Sequence, residues 1–131
     1  EDKMSSELSI LALYGILTMV QILVHVLTAT PPLGLPYLVG PRDEARPLTG
    51  IPGRCKRAAE NAVTALALFA PAVLMLQAKG ALTPHTLLAA QVFLIMRLIY
   101  AVAYPLGTPW LRTIVWVVAF LANLSLYLAV L

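Results

Sequence analysis

The sequence predicts an all-α integral membrane protein: one domain over residues 1–131, a four-transmembrane-helix bundle. Three observations predict it. Hydrophobic residues make up 60% of the 131-residue chain and charged residues only 11%, with a mean hydropathy of +0.86; a soluble domain carries about 25% charged residues. Between Ala81 and Leu131 only Arg97 and Arg112 are charged, too few to solvate that half of the chain. Four apolar stretches each approach the roughly 20 residues needed to cross a hydrocarbon core about 30 Å thick. The same figures exclude a disordered chain and a secreted disulfide scaffold. A net charge of +3 is too small for a nucleic-acid-binding surface, and the single cysteine, Cys55, has no internal partner.

The first segment runs from about residue 8 to 28 without a formal charge, and Pro31-Pro32 is expected to close it. It is too long for a signal peptide, and its leader Glu1-Asp2-Lys3-Met4 has no positive excess. The second spans about 57–78, with Lys79-Gly80 as its stop. The third spans about 84–104, opened by Thr83 as N-cap and Pro84 at the first helical position. Pro105, Gly107 and Pro109 break the pattern, and the fourth covers about 110–131. The connection 31–56 holds six of the ten prolines and four of the seven glycines. It reads as an ordered, helix-poor cap, with a flexible linker as the alternative.

Orientation follows from the basic residues. Arg42, Arg46, Arg54, Lys56, Arg57 and Arg112 lie on one side, and only Lys3 and Lys79 on the other. The positive-inside rule therefore places the first loop in the cytoplasm and both termini outside.

Polar side chains within the spans are costly and are candidate functional groups. On the second segment Arg57, Asn61 and Thr64 share a face, with Glu60 one position off it. On the third, Arg97, Tyr100 and Tyr104 form another stripe, and Arg112 opens the fourth at the level of Tyr104. Guanidinium, phenol and amide groups converging at the cytoplasmic end suit an anionic, carboxylate-bearing ligand. Arg97 is expected to pair with Glu60, directly or through a bridging water, about one turn or roughly 6 Å away along the axis; the alternative to a ligand site is that this pair only joins two helices while Arg57 and Arg112 reach toward lipid headgroups. Gln21 and His25 share a face of the first segment and are expected, like Asn123, to hydrogen-bond between helices. Ala58, Ala62 and Ala65 suit close helix approach, and Pro71 is expected to kink the second helix. No set of residues has metal-ligand spacing, and no glycine-rich phosphate loop is present.

These residues resemble a family. Arg54-Cys55-Lys56-Arg57-Ala58-Ala59-Glu60-Asn61 is similar to the start of the second helix in the membrane-associated proteins of eicosanoid and glutathione metabolism, the MAPEG family. Gly40-Pro41-Arg42-Asp43-Glu44, with Leu48, Gly50, Gly53 and Arg54, resembles the loop of its bacterial members. Arg97, Tyr104 and Arg112 are similar to the later-helix pattern of its glutathione-using members, and the likeness covers essentially the whole chain. The resemblance implies a homotrimer in a membrane, expected to be the bacterial inner membrane. It also implies glutathione as co-substrate between protomers, and a lipophilic small molecule arriving from the membrane lipids. By position, Arg54, Arg57, Asn61, Arg97, Tyr100 and Tyr104 would bind glutathione, and Arg112 would stabilise its thiolate, the nucleophilic form. Two departures stand out. Glutathione-using relatives read Asn-x-x-Glu where this chain has Asn61-Ala62-Val63-Thr64, and the prostaglandin synthase branch has arginine where Glu60 stands.

Three functions compete. The expected function is a glutathione-dependent transferase or peroxidase acting on lipophilic electrophiles at the cytoplasmic side, favoured by Arg97, Tyr104 and Arg112; the alternative is a non-catalytic lipid-binding or scaffold protein, favoured by Thr64 and Glu60. A proton-coupled antiporter needs a carboxylate within the membrane. All six acids fall in the N-terminal tail, the first loop or the mouth of the second helix, which argues against it.

Overall fold

The computed structural model describes residues 2–131. Its elements are α1 (Glu7–Leu33), α2 (Leu35–Val39), α3 (Gly50–Lys79), α4 (Pro84–Ala103) and α5 (Pro109–Val130). There is no strand among the described residues, and α1, α3, α4 and α5 are each long and apolar enough to cross a bilayer. α1 packs chiefly on α3 and α4 on α5, with α1–α4 and α3–α5 contacts closing the bundle.

Two helix boundaries differ from the sequence expectation, and the segment 31–56, expected to be helix-poor, is helical over 31–33, 35–39 and 50–56. Pro31 and Pro32 do not end α1, which continues to Leu33. Their fixed φ is compatible with helix, and each removes only one donor in the last turn. Gly34, at φ 83°, then closes the helix by donating its N–H to the Thr30 carbonyl at 2.8 Å. α3 begins at Gly50, seven residues before the expected Arg57. Its Pro52 lies in the first turn, where the missing N–H would have no intrahelical acceptor. Gly53 is required there because a Cβ would stand 2.7 Å from the Leu48 carbonyl oxygen.

The segment between α2 and α3 is stitched to itself. The Tyr37 hydroxyl donates to the Glu44 carbonyl at 2.6 Å, and Arg42 Nη2 donates to the Leu38 carbonyl at 2.7 Å. Arg46 pairs with Glu44 at 3.1 Å and stands 4.5 Å over the Tyr37 ring. α4 opens with a reciprocal cap, Thr83 N–H to Thr86 Oγ1 at 2.8 Å and Thr86 N–H to Thr83 Oγ1 at 3.2 Å. α3 runs unbroken through Pro71 to Lys79, and the Tyr127 hydroxyl donates to the nearby Leu68 carbonyl at 2.6 Å.

The core lies along the middle of the bundle. Phe69 and Phe93 stack at 4.1 Å, and the Tyr14 ring meets both edge-on at 6.0 and 5.0 Å. Small residues allow this approach: Ala58 and Ala62 are buried, and the Tyr14 hydroxyl donates to the Ala62 carbonyl at 2.9 Å. Large apolar side chains such as Met19, Leu88, Val102, Ile114 and Leu128 cover the outside. In lipid that surface is the solvated one, and helix association rests on packing and hydrogen bonds.

Four polar residues depart from expectation. Glu7 belongs to α1 rather than to a tail; it is buried and accepts from Thr86 Oγ1 at 2.7 Å. The helix length adds it to the first turn, at the end of the bundle opposite the loop. Gln21 makes no side-chain hydrogen bond, and neither His25 Nδ1 nor Asn123 Oδ1 has a partner.

Candidate functional site

The site gathers where α3, α4 and α5 meet at the loop end of the bundle. Helical spacing places Arg57 and Asn61 one turn apart on the α3 face toward α4, while Arg97, Tyr100 and Tyr104 line the facing stripe. The tight turn after Ala103, closed by Thr108 N–H to the Ala103 carbonyl at 3.2 Å and by Gly107 at φ 73°, sets Arg112 opposite Tyr104.

Tyr104 is the hub. Its hydroxyl accepts from Arg57 Nε at 3.0 Å, and its ring lies 4.6 Å from the Arg112 guanidinium and 5.9 Å from that of Arg57. Tyr100 stands 5.4 Å from Tyr104 and 4.4 Å under the Arg97 guanidinium. Arg97, 2% exposed, donates from Nη1 to Asn61 Oδ1 at 2.8 Å. Its Nε and Nη2 make no hydrogen bond.

The expected Arg97–Glu60 pair is therefore corrected. Glu60 lies one residue, about 100° around the helix, from Asn61. That rotation turns its carboxylate outward, where it approaches Lys56 at 4.0 Å. Asn61 occupies the position facing Arg97, so a neutral amide replaces the acid. Among the described residues the only ion pairs are Arg46–Glu44 and Lys56–Glu60.

Six of the seven sequence-derived site residues, Arg57, Asn61, Arg97, Tyr100, Tyr104 and Arg112, form this one connected cluster. Arg54 is drawn aside: its Nε donates to the Pro105 carbonyl at 2.8 Å, tying α3 to the α4–α5 turn.

Two spaces adjoin the cluster. An open hollow of about 310 Å³ is lined by Tyr100, Tyr104, Arg112, Thr113 and Trp116. Farther from the loop end, a cavity of about 80 Å³ is bounded by Asn61, Thr64, Phe93, Arg97, Phe120 and Asn123, and Trp116 walls both. Sequence reading missed Trp116 and Phe120 as site residues and read Asn123 only as a bond between helices. Their spacing of four and three residues along the fourth segment was the available signal. Chemically, the hollow offers cationic and phenolic donors to an anion, and the cavity offers an apolar wall to a lipophilic group. No group of His, Cys, Asp and Glu among the described residues could hold a metal ion.

The family model described as "MAPEG family" matches residues 8–131. No curated protein and no solved structure matches the chain.

Proposed function

The chain belongs to the MAPEG family, and from that premise we propose that it is a membrane transferase or peroxidase joining a carboxylate-bearing thiol of the glutathione type to a lipophilic electrophile. The observation that carries this reading is the juxtaposition of Arg57, Arg97 and Arg112 around Tyr104 and Tyr100 beside an open hollow. Carboxylates of the co-substrate would meet the guanidinium donors. Arg112, half-buried over the Tyr104 ring, would stand by the sulfur and favour its thiolate, since a neighbouring cation lowers a thiol pKa. The thiolate would form a new S–C bond with the electrophile, whose displaced or opened group takes up the proton. With a hydroperoxide, two thiols would be oxidised to a disulfide, giving an alcohol and water.

The electrophile would enter from lipid past Trp116 and Phe120, which are 37% and 48% exposed on α5. The site would face the cytoplasm, as the basic loop orients it, and adjacent copies in a homotrimer would complete its open side. A non-catalytic lipid-binding role is the second reading, favoured by the mainly apolar lining of the smaller cavity.

Calorimetric titration of the detergent-solubilised protein with glutathione tests the proposal. Saturable binding, weakened at least tenfold by Arg112→Gln, is expected. Absence of thiol binding alongside saturable fatty-acid binding would favour the second reading.

A further inference from the structure

We infer that this site selects thiols that carry carboxylates but no free ammonium group, in preference to zwitterionic ones. The inference rests on the thiol-binding reading above and narrows its substrate class. It follows from the charges around the hollow and cavity. Arg57, Arg97 and Arg112 are the ionic side chains of the cluster, and no carboxylate lines either space.

The acids lie elsewhere among the described residues. Asp2 accepts from the Met4 N–H at the N-terminal end, Glu7 is bonded to Thr86 there, Glu44 is paired with Arg46 in the loop, and Asp43 borders a separate loop hollow with Tyr37. Glu60, nearest in sequence, is 64% exposed at its side chain and approaches Lys56. It borders a different hollow, with Ile22 and His25.

Asn123 Oδ1, on the cavity wall, is without a partner, but a neutral oxygen does not balance a positive charge; the other neutral side-chain acceptors of the cavity are already engaged. Asn61 Oδ1 already accepts from Arg97, and the Thr64 hydroxyl is turned to the Glu60 carbonyl at 3.1 Å. An ammonium entering here would lose water, meet Arg112 in the hollow or Arg97 in the cavity and find no counter-ion on this chain, a combination that low dielectric makes costly. A carboxylate would meet the Arg97 cluster, whose Nε and Nη2 have no partner. Selectivity of this kind comes from the unpaired charge of the rejected ligand.

The experiment is a competitive calorimetric titration of the detergent-solubilised chain with glutathione and its deamino analogue, glutaryl-cysteinyl-glycine. The two differ only in the ammonium group. The deamino thiol is expected to bind at least tenfold tighter. Thr64→Glu, which puts a carboxylate on the cavity wall, should cut that ratio at least tenfold, whereas Thr64→Gln, of equal size, should not. Glu60→Gln should leave the ratio unchanged. Equal or tighter binding of glutathione by the unaltered protein would overturn the inference. So would a selective loss of glutathione affinity in Glu60→Gln, which would place an acid from this or a neighbouring copy at the ammonium. Binding of neither thiol would remove the thiol-site reading and this inference with it.

Discussion

Arg97 is a cation 2% exposed in a membrane helix, held by one amide and two aromatic faces rather than by an acid. A hydrogen bond to a charged group contributes about 1.5–3 kcal/mol. Asn61→Leu should therefore lower bundle stability by about that amount, read from thermal unfolding in detergent. Glu60→Gln should change it by less than about 1 kcal/mol, because exposed ion pairs contribute little. The reverse ranking would reinstate an Arg97–Glu60 pair. Tyr104→Phe, which leaves Arg57 Nε without its acceptor, should weaken thiol binding several-fold in calorimetry while leaving the ring beneath Arg112. The polar stripes were legible because three- and four-residue spacing fixes a face whatever surrounds it. The partner of Arg97 was not, since reach along the axis favoured Glu60 while rotation around it favoured Asn61.

At the scale of elements, the start of α3 shows where composition misleads. Gly50, Pro52 and Gly53 read as loop, yet they form its first turn, because orphan donors there make proline harmless and close approach of Leu48 requires glycine. Gly53→Ala should push α3 away from Leu48 at a cost of about 1–3 kcal/mol, the range of overpacked sites. Cys55, 4% exposed two residues later, reports that shift: its reaction with N-ethylmaleimide should accelerate in the variant. An unchanged rate would mean that the Leu48 carbonyl yields instead. The four long helices were legible from apolar length alone. The passage of α1 through Pro31 and Pro32 was not, because only Gly34 shows where the last carbonyl is satisfied.

For the whole molecule, the outer surface is apolar on all four long helices, and the hollow at Tyr104 and Arg112 is open on one side. Three copies sharing such sites should appear in native mass spectrometry from mild detergent; a monomer that binds thiol with full affinity would contradict sharing. In a Cys55→Ala background, Asp43→Cys in the exposed loop should react with an impermeant maleimide only in inverted membranes; labelling in intact cells would reverse the proposed orientation. By the proposed mechanism, the cluster at Arg112 holds a thiol as its thiolate. The thiolate absorption band of protein-bound glutathione, followed as pH is varied, reports this state. The bound thiol should titrate about 1–2 units below the roughly 8.5 of a free thiol, and Arg112→Gln should remove that depression. A bound thiol that titrates at the free value, or one equally depressed in Arg112→Gln, would contradict it.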